Sequence, residues 1–333
     1  GSAGGGGGGS GTFIYMAIRR GGMQTPTVAS DVFAIDQGHA SNIPNFESGF
    51  PVDFGLLRQT SSDHFKVSAR LSGGKYLETS TTAAESSNSN YSFDHQDGWV
   101  GSAFGTSYYS WMWKRARGFC DVVTYSGTGS ATTVTHNLGV APEMMWVKDR
   151  GNAVDWKVYH KDLGTLASSG EPAWKYNLTL NNTDASSLST SRWGSDPTSS
   201  VFGVGTHVQT NGSGRNYIAY LFATVAGISK VGSYTGDGST SKNIDCGFSN
   251  GAKFVVIRRT DSGGGWIVFD TVRGLTTAAA DPFLYLDSTA VASQNVAFDL
   301  DPYSSGFNIG GDAGYINASG GSYIFYAIAN DPS

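Results

Sequence analysis

The residues best suited to chemistry are few and scattered. The six histidines are His39, His64, His95, His136, His160 and His207, and the five glutamates are Glu47, Glu78, Glu85, Glu143 and Glu171. No two histidines share an HExxH motif or a helical i, i+4 spacing, the arrangement a zinc hydrolase needs. His95 lies in Asp94-His95-Gln96-Asp97, which could ligate a metal, but no second His or Cys lies nearby, so it reads as a surface loop. A serine hydrolase needs a nucleophile on a Gly-x-Ser-x-Gly elbow between a strand and a helix; Gly212-Ser213-Gly214 is a loop instead. A glycosidase needs two carboxylates at a set separation, and no Glu recurs at one position of the repeats described below. Asp299-Leu300-Asp301, ahead of Pro302, could hold Ca²⁺, but reads more simply as a turn. Gly127-Thr128-Gly129 and Gly236-Asp237-Gly238 resemble phosphate loops, yet they open no helix and lack a following Lys. The expectation is no catalytic set, no metal and no cofactor.

Aromatic side chains remain. Trp174, Tyr176, Trp193, Trp99 and Tyr285 lie in or near loops. Exposed Trp and Tyr faces stack on sugar rings and carry interface energy; the alternative for each is packing in a core. The Ser/Thr/Asn-rich loop over 181–200, with Trp193 inside it, is the best candidate recognition loop. Trp174, Tyr176 and Trp193 are therefore the expected contacts for a glycan or receptor.

What must position these residues is a repeated β-framework. The chain has 333 residues, 15% charged and 13% aromatic, with 46 glycines and a net charge of −5. Disorder would need few aromatics and a high net charge, so the chain folds. Runs of β-branched and aromatic residues cut by Gly, Ser and Asn point to an all-β protein. The only basic run is Lys114-Arg115-Ala116-Arg117, too little for a nucleic-acid footprint. No run of apolar residues is long enough to span a membrane. The two cysteines, Cys120 and Cys246, occupy different places in the repeat and read as free thiols.

Self-similarity supplies the framework. An aromatic strand ends each unit, around Tyr109, Tyr217 and Tyr323, with an earlier copy around Phe13. Tyr125-Ser126-Gly127-Thr128-Gly129-Ser130 matches Tyr234-Thr235-Gly236-Asp237-Gly238-Ser239. The best copy of the central hairpin is Val255-Val256-Ile257-Arg258-Arg259, a Gly263-Gly264-Gly265 turn, and Trp266-Ile267-Val268-Phe269-Asp270. Weaker copies begin at Phe54 and at Met145. The second strand is apolar at four successive positions, which predicts cover on both faces, by a second sheet and by a neighbouring unit or chain. The units are three tandem antiparallel β-sandwich modules, jelly-roll-like, of about 95–110 residues. Their bounds are 26–118 (divergent), 119–226 and 227–333. Residues 1–25 read as a Gly-rich segment and the last strand of a preceding module.

Taken together, these anchors resemble repeats found in virion structural proteins of tailed bacteriophages, especially tail fibre and tail-associated proteins. The pattern is Tyr-x-Gly-x-Gly-Ser, as at Tyr234 to Ser239, then Phe254 to Arg259, Trp266 to Gly274, and Ser322 to Ala329. It covers 119–330 well and 26–118 poorly, where the first element is missing. The resemblance implies a non-enzymatic virion protein, made in the host cytoplasm and displayed on the tail or particle surface. Its implied partners are copies of itself, with a trimer favoured by analogy, other virion proteins, and a host-surface glycan or protein. The leading expectation is a tail fibre or spike segment for host attachment. Alternatives are a capsid-decorating protein, a polysaccharide depolymerase and a secreted sugar-binding adhesin.

Overall fold

A computed structural model describes residues 22–331 apart from 40, 102–103, 168 and 278–279. The strand expected over 11–19 lies outside the described residues. The chain is all-β, and one sheet plan recurs three times. In each copy the first strand lies at the edge, the last strand pairs beside it, and the four remaining strands follow in sequence order. Module 1 runs Phe33–Gln37, Tyr108–Trp113, Phe54–Gln59, Lys66–Ala69, Lys75–Glu78, Ser86–Ser87. Module 2 runs Cys120–Ser126, Asn216–Phe222, Met144–Asp149, Lys157–His160, Tyr176–Thr179, Ser187–Leu188. Module 3 runs Ser229–Thr235, Ser322–Ala329, Ala252–Arg259, Trp266–Asp270, Pro282–Tyr285, Ser293–Gln294. All pairings are antiparallel.

Each six-stranded sheet carries a small second sheet on one face. Phe46–Glu47 pairs with Gly98–Trp99 in module 1, and Thr132–Thr135 with Val201–Val204 in module 2. Module 3 has a third strand here: Lys242–Asp245, Gly306–Ile309 and Leu300–Tyr303.

The side-chain alternation of a strand explains the unbroken apolar runs. Along Asn216–Phe222, the residues Ile218, Tyr220 and Phe222 enter a core shared by all three modules. Tyr217, Ala219 and Leu221 point the other way, into a core private to module 2. Module 1 divides in the same manner, with Trp111 and Trp113 shared and Met112 private. The second face of each large sheet is thus covered by neighbouring modules, as the sequence led us to expect.

The shared core is a convergence of aromatic rings. Phe54 of module 1 lies 5.1 Å from Tyr220 and 6.0 Å from Phe222 of module 2. Phe222 lies 5.0 Å from Tyr326 of module 3, and Phe254 of module 3 lies 5.3 Å from Phe33 and 5.6 Å from Trp113 of module 1. Every module touches both others.

The junctions repeat as well. Glu85 N–H donates to Arg150 O, Ser186 N–H to Thr260 O, and Ala292 N–H to Thr60 O, each at 2.8 Å. In each pair the acceptor follows the third strand of one module, and the donor lies at or next to the final short strand of another. Module 2 meets module 1 in this way, module 3 meets module 2, and module 1 meets module 3. A head-to-tail contact of this kind closes a ring when its rotation allows, and here three copies in one chain close it.

Candidate functional site

The junctions hold buried charge at a repeated position. Arg58, Lys148 and Arg258 occupy one register position, opposite Tyr109, Ile218 and Ile324 on the last strands. All three are fully buried. Arg58 stacks over Phe65 at 5.0 Å, and its guanidinium crosses into module 3. There it donates to the carbonyls of Tyr285 at 2.7 Å, Ser288 at 3.1 Å and Ala290. Arg258 stacks over Trp266 at 5.6 Å and donates to Asp184 O of module 2. Lys148 stays within its own module, on the carbonyls of Asp149 and Asn152; beside it Arg150 crosses to Glu85 of module 1 at 2.8 Å. Burial pushes the Arg58 and Arg258 guanidinium pKa values down to about 10 and Lys148 to about 8. Guanidinium is the group best suited to such a place, since it stays charged and its forked donors satisfy several carbonyls at once.

Tryptophan indoles repeat the crossing. Trp156 Nε1–H donates to Glu78 O of module 1, and Trp266 Nε1–H to Thr179 O of module 2, both at 2.9 Å. Module 1 has Phe65 in the matching place, with no N–H to give. There Thr79 Oγ1–H reaches Leu286 O of module 3 at 2.6 Å. The glycine turn of the best-preserved hairpin also lies at a junction, where Gly264 N–H donates to Thr183 O at 3.0 Å.

Each residue expected to bind a ligand now has a place. Trp193 is fully buried, in the core private to module 2, with Nε1–H on Tyr176 O at 3.0 Å. Tyr176 is buried too, and its hydroxyl meets Ser169 Oγ. Only Trp174, half-buried, keeps a face toward solvent, and Lys175 Nζ lies 5.7 Å from its ring centre. The expected recognition cluster is therefore corrected. Trp193 and Tyr176 fill core, because an indole among small polar residues is the apolar mass that the second sheet has to cover. The loop over 181–200 is corrected in its first part: Thr183, Asp184 and Ser186 bind module 3 through their backbones.

The Tyr-x-Gly-x-Gly-Ser motif resolves into a latch. Tyr125 stacks on Tyr217 at 5.1 Å, and Tyr234 on Tyr323 at 4.9 Å. Fully buried Asn211 accepts from Thr128 N–H and donates to Ser130 O, and Asn317 does the same with Asp237 and Ser239. A Cβ on Gly127 would lie 2.2 Å from Gly212 O, and one on Gly236 2.2 Å from Ala318 O. Gly129 and Gly238 hold φ of +75° and +72°, a region that favours glycine. The glycines thus serve the fold, and the resemblance to a phosphate loop ends there. Module 1, which lacks the motif, has Gly38 beside Tyr108 at the matching place, its N–H donating to Tyr108 O at 2.9 Å.

An open polar surface lies at the edge of this framework. A groove of about 560 Å³ lies between modules 2 and 3. Its walls are two strands at sheet edges, Ser229–Thr235 and Lys242–Asp245. Lys161, Lys230 and Lys242 line it with Asp162 and Asp245. Lys161 pairs with Glu143 and Lys242 with Asp237, while Lys230 has no ion pair among the described residues.

His160 gives the module 2–module 3 junction a pH dependence. Its ring is fully buried, Nδ1 accepts Asp162 N–H at 3.2 Å, Nε2 has no hydrogen-bond partner among the described residues, and the backbone of Gly232 and Phe325 in module 3 favours the proton. Burial, with Lys161 adding repulsion, pushes its pKa down to about 3. The unfolded chain takes up a proton below the ordinary histidine value near 6.5, while the folded one does not. Stability is therefore lost as pH falls from about 6.5 toward 3. Asp287, raised to about 6 by burial, has the opposite sign and loses stability as pH rises through that value. The difference between wild type and His160→Gln removes such shared contributions. Urea unfolding at pH 7 and pH 5 should show the wild type losing about 2 kcal/mol more than the variant between the two.

The fold and its junctions define a class: an all-β protein of three tandem sandwich modules closed into a ring around one core. The chain belongs to the family described as a domain of unknown function, DUF7483, whose model matches residues 38–332. That match begins just after the first strand of module 1 and runs through modules 2 and 3. No curated protein matches the chain. Among the described residues, no helix is long and apolar enough to cross a membrane.

Proposed function

We propose that the chain is a non-enzymatic virion structural protein of a tailed bacteriophage, a tail fibre or spike segment that contacts the host surface. Its resemblance to tail-associated repeats motivates the class. The observation that carries the reading is how the charged and aromatic groups are used: the framework engages many of them in junctions and cores, and an open polar groove lined by three lysines lies between modules 2 and 3. Lysines and strand-edge backbone groups there suit an acidic or heavily hydroxylated surface glycan. In this reading copies of the chain associate through surfaces outside the ring, beside other virion proteins.

Antibodies against the full chain test it on intact particles that carry the protein. The expected result is labelling at the tail and blocked adsorption to host cells, with Lys230→Glu particles adsorbing poorly. Labelling confined to the capsid would replace this reading with a decorating role, and shortened host polysaccharide after incubation would make the protein an enzyme.

A further inference from the structure

The three modules repeat their framework but differ at one place on it. Where the second strand of the central hairpin meets the next strand of the sheet, Lys66 lies opposite Glu78 in module 1 and Lys157 opposite Thr179 in module 2. Module 3 has Ile267 opposite Tyr285. Modules 1 and 2 keep polar contacts there: Lys66 pairs with Asp63 at 2.5 Å, and Lys157 Nζ donates to Thr179 Oγ1 at 2.7 Å. Module 3 gathers aromatic rings instead. Buried Phe283 stacks on Phe298 at 4.7 Å and meets Tyr285 edge-on at 5.4 Å, and Phe298 lies 6.0 Å from Tyr315. Tyr285 and Phe298 are half-buried, and Tyr315 is 45% exposed. The repeated framework does not call for these rings, since its copies in modules 1 and 2 fold without them.

We infer that this face of module 3 binds an uncharged saccharide, stacked on the rings of Tyr315 and Phe298, with Tyr285 and Asp287 at its hydroxyl groups. Aromatic faces pack on the C–H face of a sugar ring, while phenol hydroxyls and carboxylates take up its hydroxyl groups. The hydroxyls of Tyr285 and Tyr315 have no hydrogen-bond partner among the described residues, so both are free for this. The rings are also held in advance. A Cβ on Gly265 would lie 2.5 Å from Tyr285 Cδ1 and 3.4 Å from Asp287 Oδ1, and one on Gly264 3.5 Å from Tyr315 Cδ1. Two bare glycines of the hairpin turn thus let both tyrosines settle against the backbone. Arg259 anchors the short helix Gly314–Asn317 that carries Tyr315, donating from Nη1 to Gly314 O at 2.9 Å. Its Nε and Nη2 hold Asp261 at 3.0 and 3.1 Å. That guanidinium is therefore spent, and offers an acidic sugar no counter-charge. A ring fixed before binding loses little freedom when a ligand lands on it. The face shares no residue with the lysine groove between modules 2 and 3, and the inference does not rest on that groove.

Maltohexaose, cellohexaose and mannohexaose, with hexagalacturonate as the acidic comparison, test this on the full chain by saturation-transfer NMR and calorimetry. The expected result is saturable binding of at least one neutral sugar, tighter than that of hexagalacturonate. Tyr315→Ala, shown by circular dichroism to keep the wild-type fold, should weaken it about tenfold. Tyr315→Phe keeps the ring and should weaken it by no more than about threefold. Lys230→Glu, in the groove, should leave it unchanged, so this site and the host-contact reading of the groove succeed or fail separately. No binding of any of the neutral sugars would overturn the inference, as would a preference for hexagalacturonate or unchanged affinity in folded Tyr315→Ala. A dimer of the chain that Tyr315→Ala abolishes would also overturn it, in favour of a contact between copies.

Discussion

Arg58→Ala should lower the stability of the whole chain by about 3–5 kcal/mol. The side chain is fully buried, and its guanidinium holds three carbonyls of another module, those of Tyr285, Ser288 and Ala290. Truncation takes the donor away from those acceptors, of which Tyr285 and Ser288 are half-buried and Ala290 is exposed. It also removes the stacking on Phe65 and leaves a cavity. Arg58→Met separates these effects. It restores the packed volume but not the donors, so it should recover only part of the loss. A buried charge paired with another charge can often be exchanged for a hydrophobe with little cost; here the partners are backbone carbonyls, which no substitution elsewhere removes. Urea unfolding followed by tryptophan fluorescence should show a lower midpoint and an unchanged slope for both variants.

Asp270→Ala should cost about as much, again 3–5 kcal/mol. Asp270 is buried at the other contact between modules 3 and 1. Its Oδ2 accepts Trp111 Nε1–H from module 1 at 3.0 Å and Arg273 Nε–H at 2.6 Å, while Oδ1 accepts Arg273 N–H at 2.9 Å. Arg273 lies 5.3 Å from the Trp111 ring centre and is itself almost fully enclosed. Removing the carboxylate strands a buried guanidinium, the costly way to break an ion pair. Asp270→Asn keeps an acceptor for the indole and should fall between wild type and alanine. If stability were local to each module, Asp270→Ala would split the unfolding curve into separate steps. A shared core predicts one displaced transition instead.

The framework was legible in the sequence because its causes are local. Gly127, Gly129, Gly236 and Gly238 mark turns that only glycine can make, and the apolar run from Trp266 to Phe269 announces a strand covered on both faces. Closure of the ring was not legible. The bond from Ala292 to Thr60 joins residues far apart in the chain, and no local pattern encodes it. A signal was present all the same. A basic residue recurs near the end of each third strand, at Arg58, Lys148 and Arg258, but a cation beside a turn reads as solvated until tertiary structure buries it. Trp193 fails for the same reason in reverse. A Trp in a Ser/Thr loop reads as exposed, and only the second sheet of module 2 shows that it is core.

The central claim is that one chain closes its own threefold ring through the contact of module 1 with module 3. Residues 60 and 292, joined by a backbone hydrogen bond of 2.8 Å, are within disulfide reach. Both native cysteines are free and buried and need not interfere. The decisive measurement is oxidation of the double variant Thr60→Cys/Ala292→Cys, followed by non-reducing electrophoresis and mass spectrometry of the linked peptides. The expected product is a disulfide within one chain, running at single-chain mass and raising the unfolding midpoint. A disulfide formed only between chains, or none at all, would contradict it.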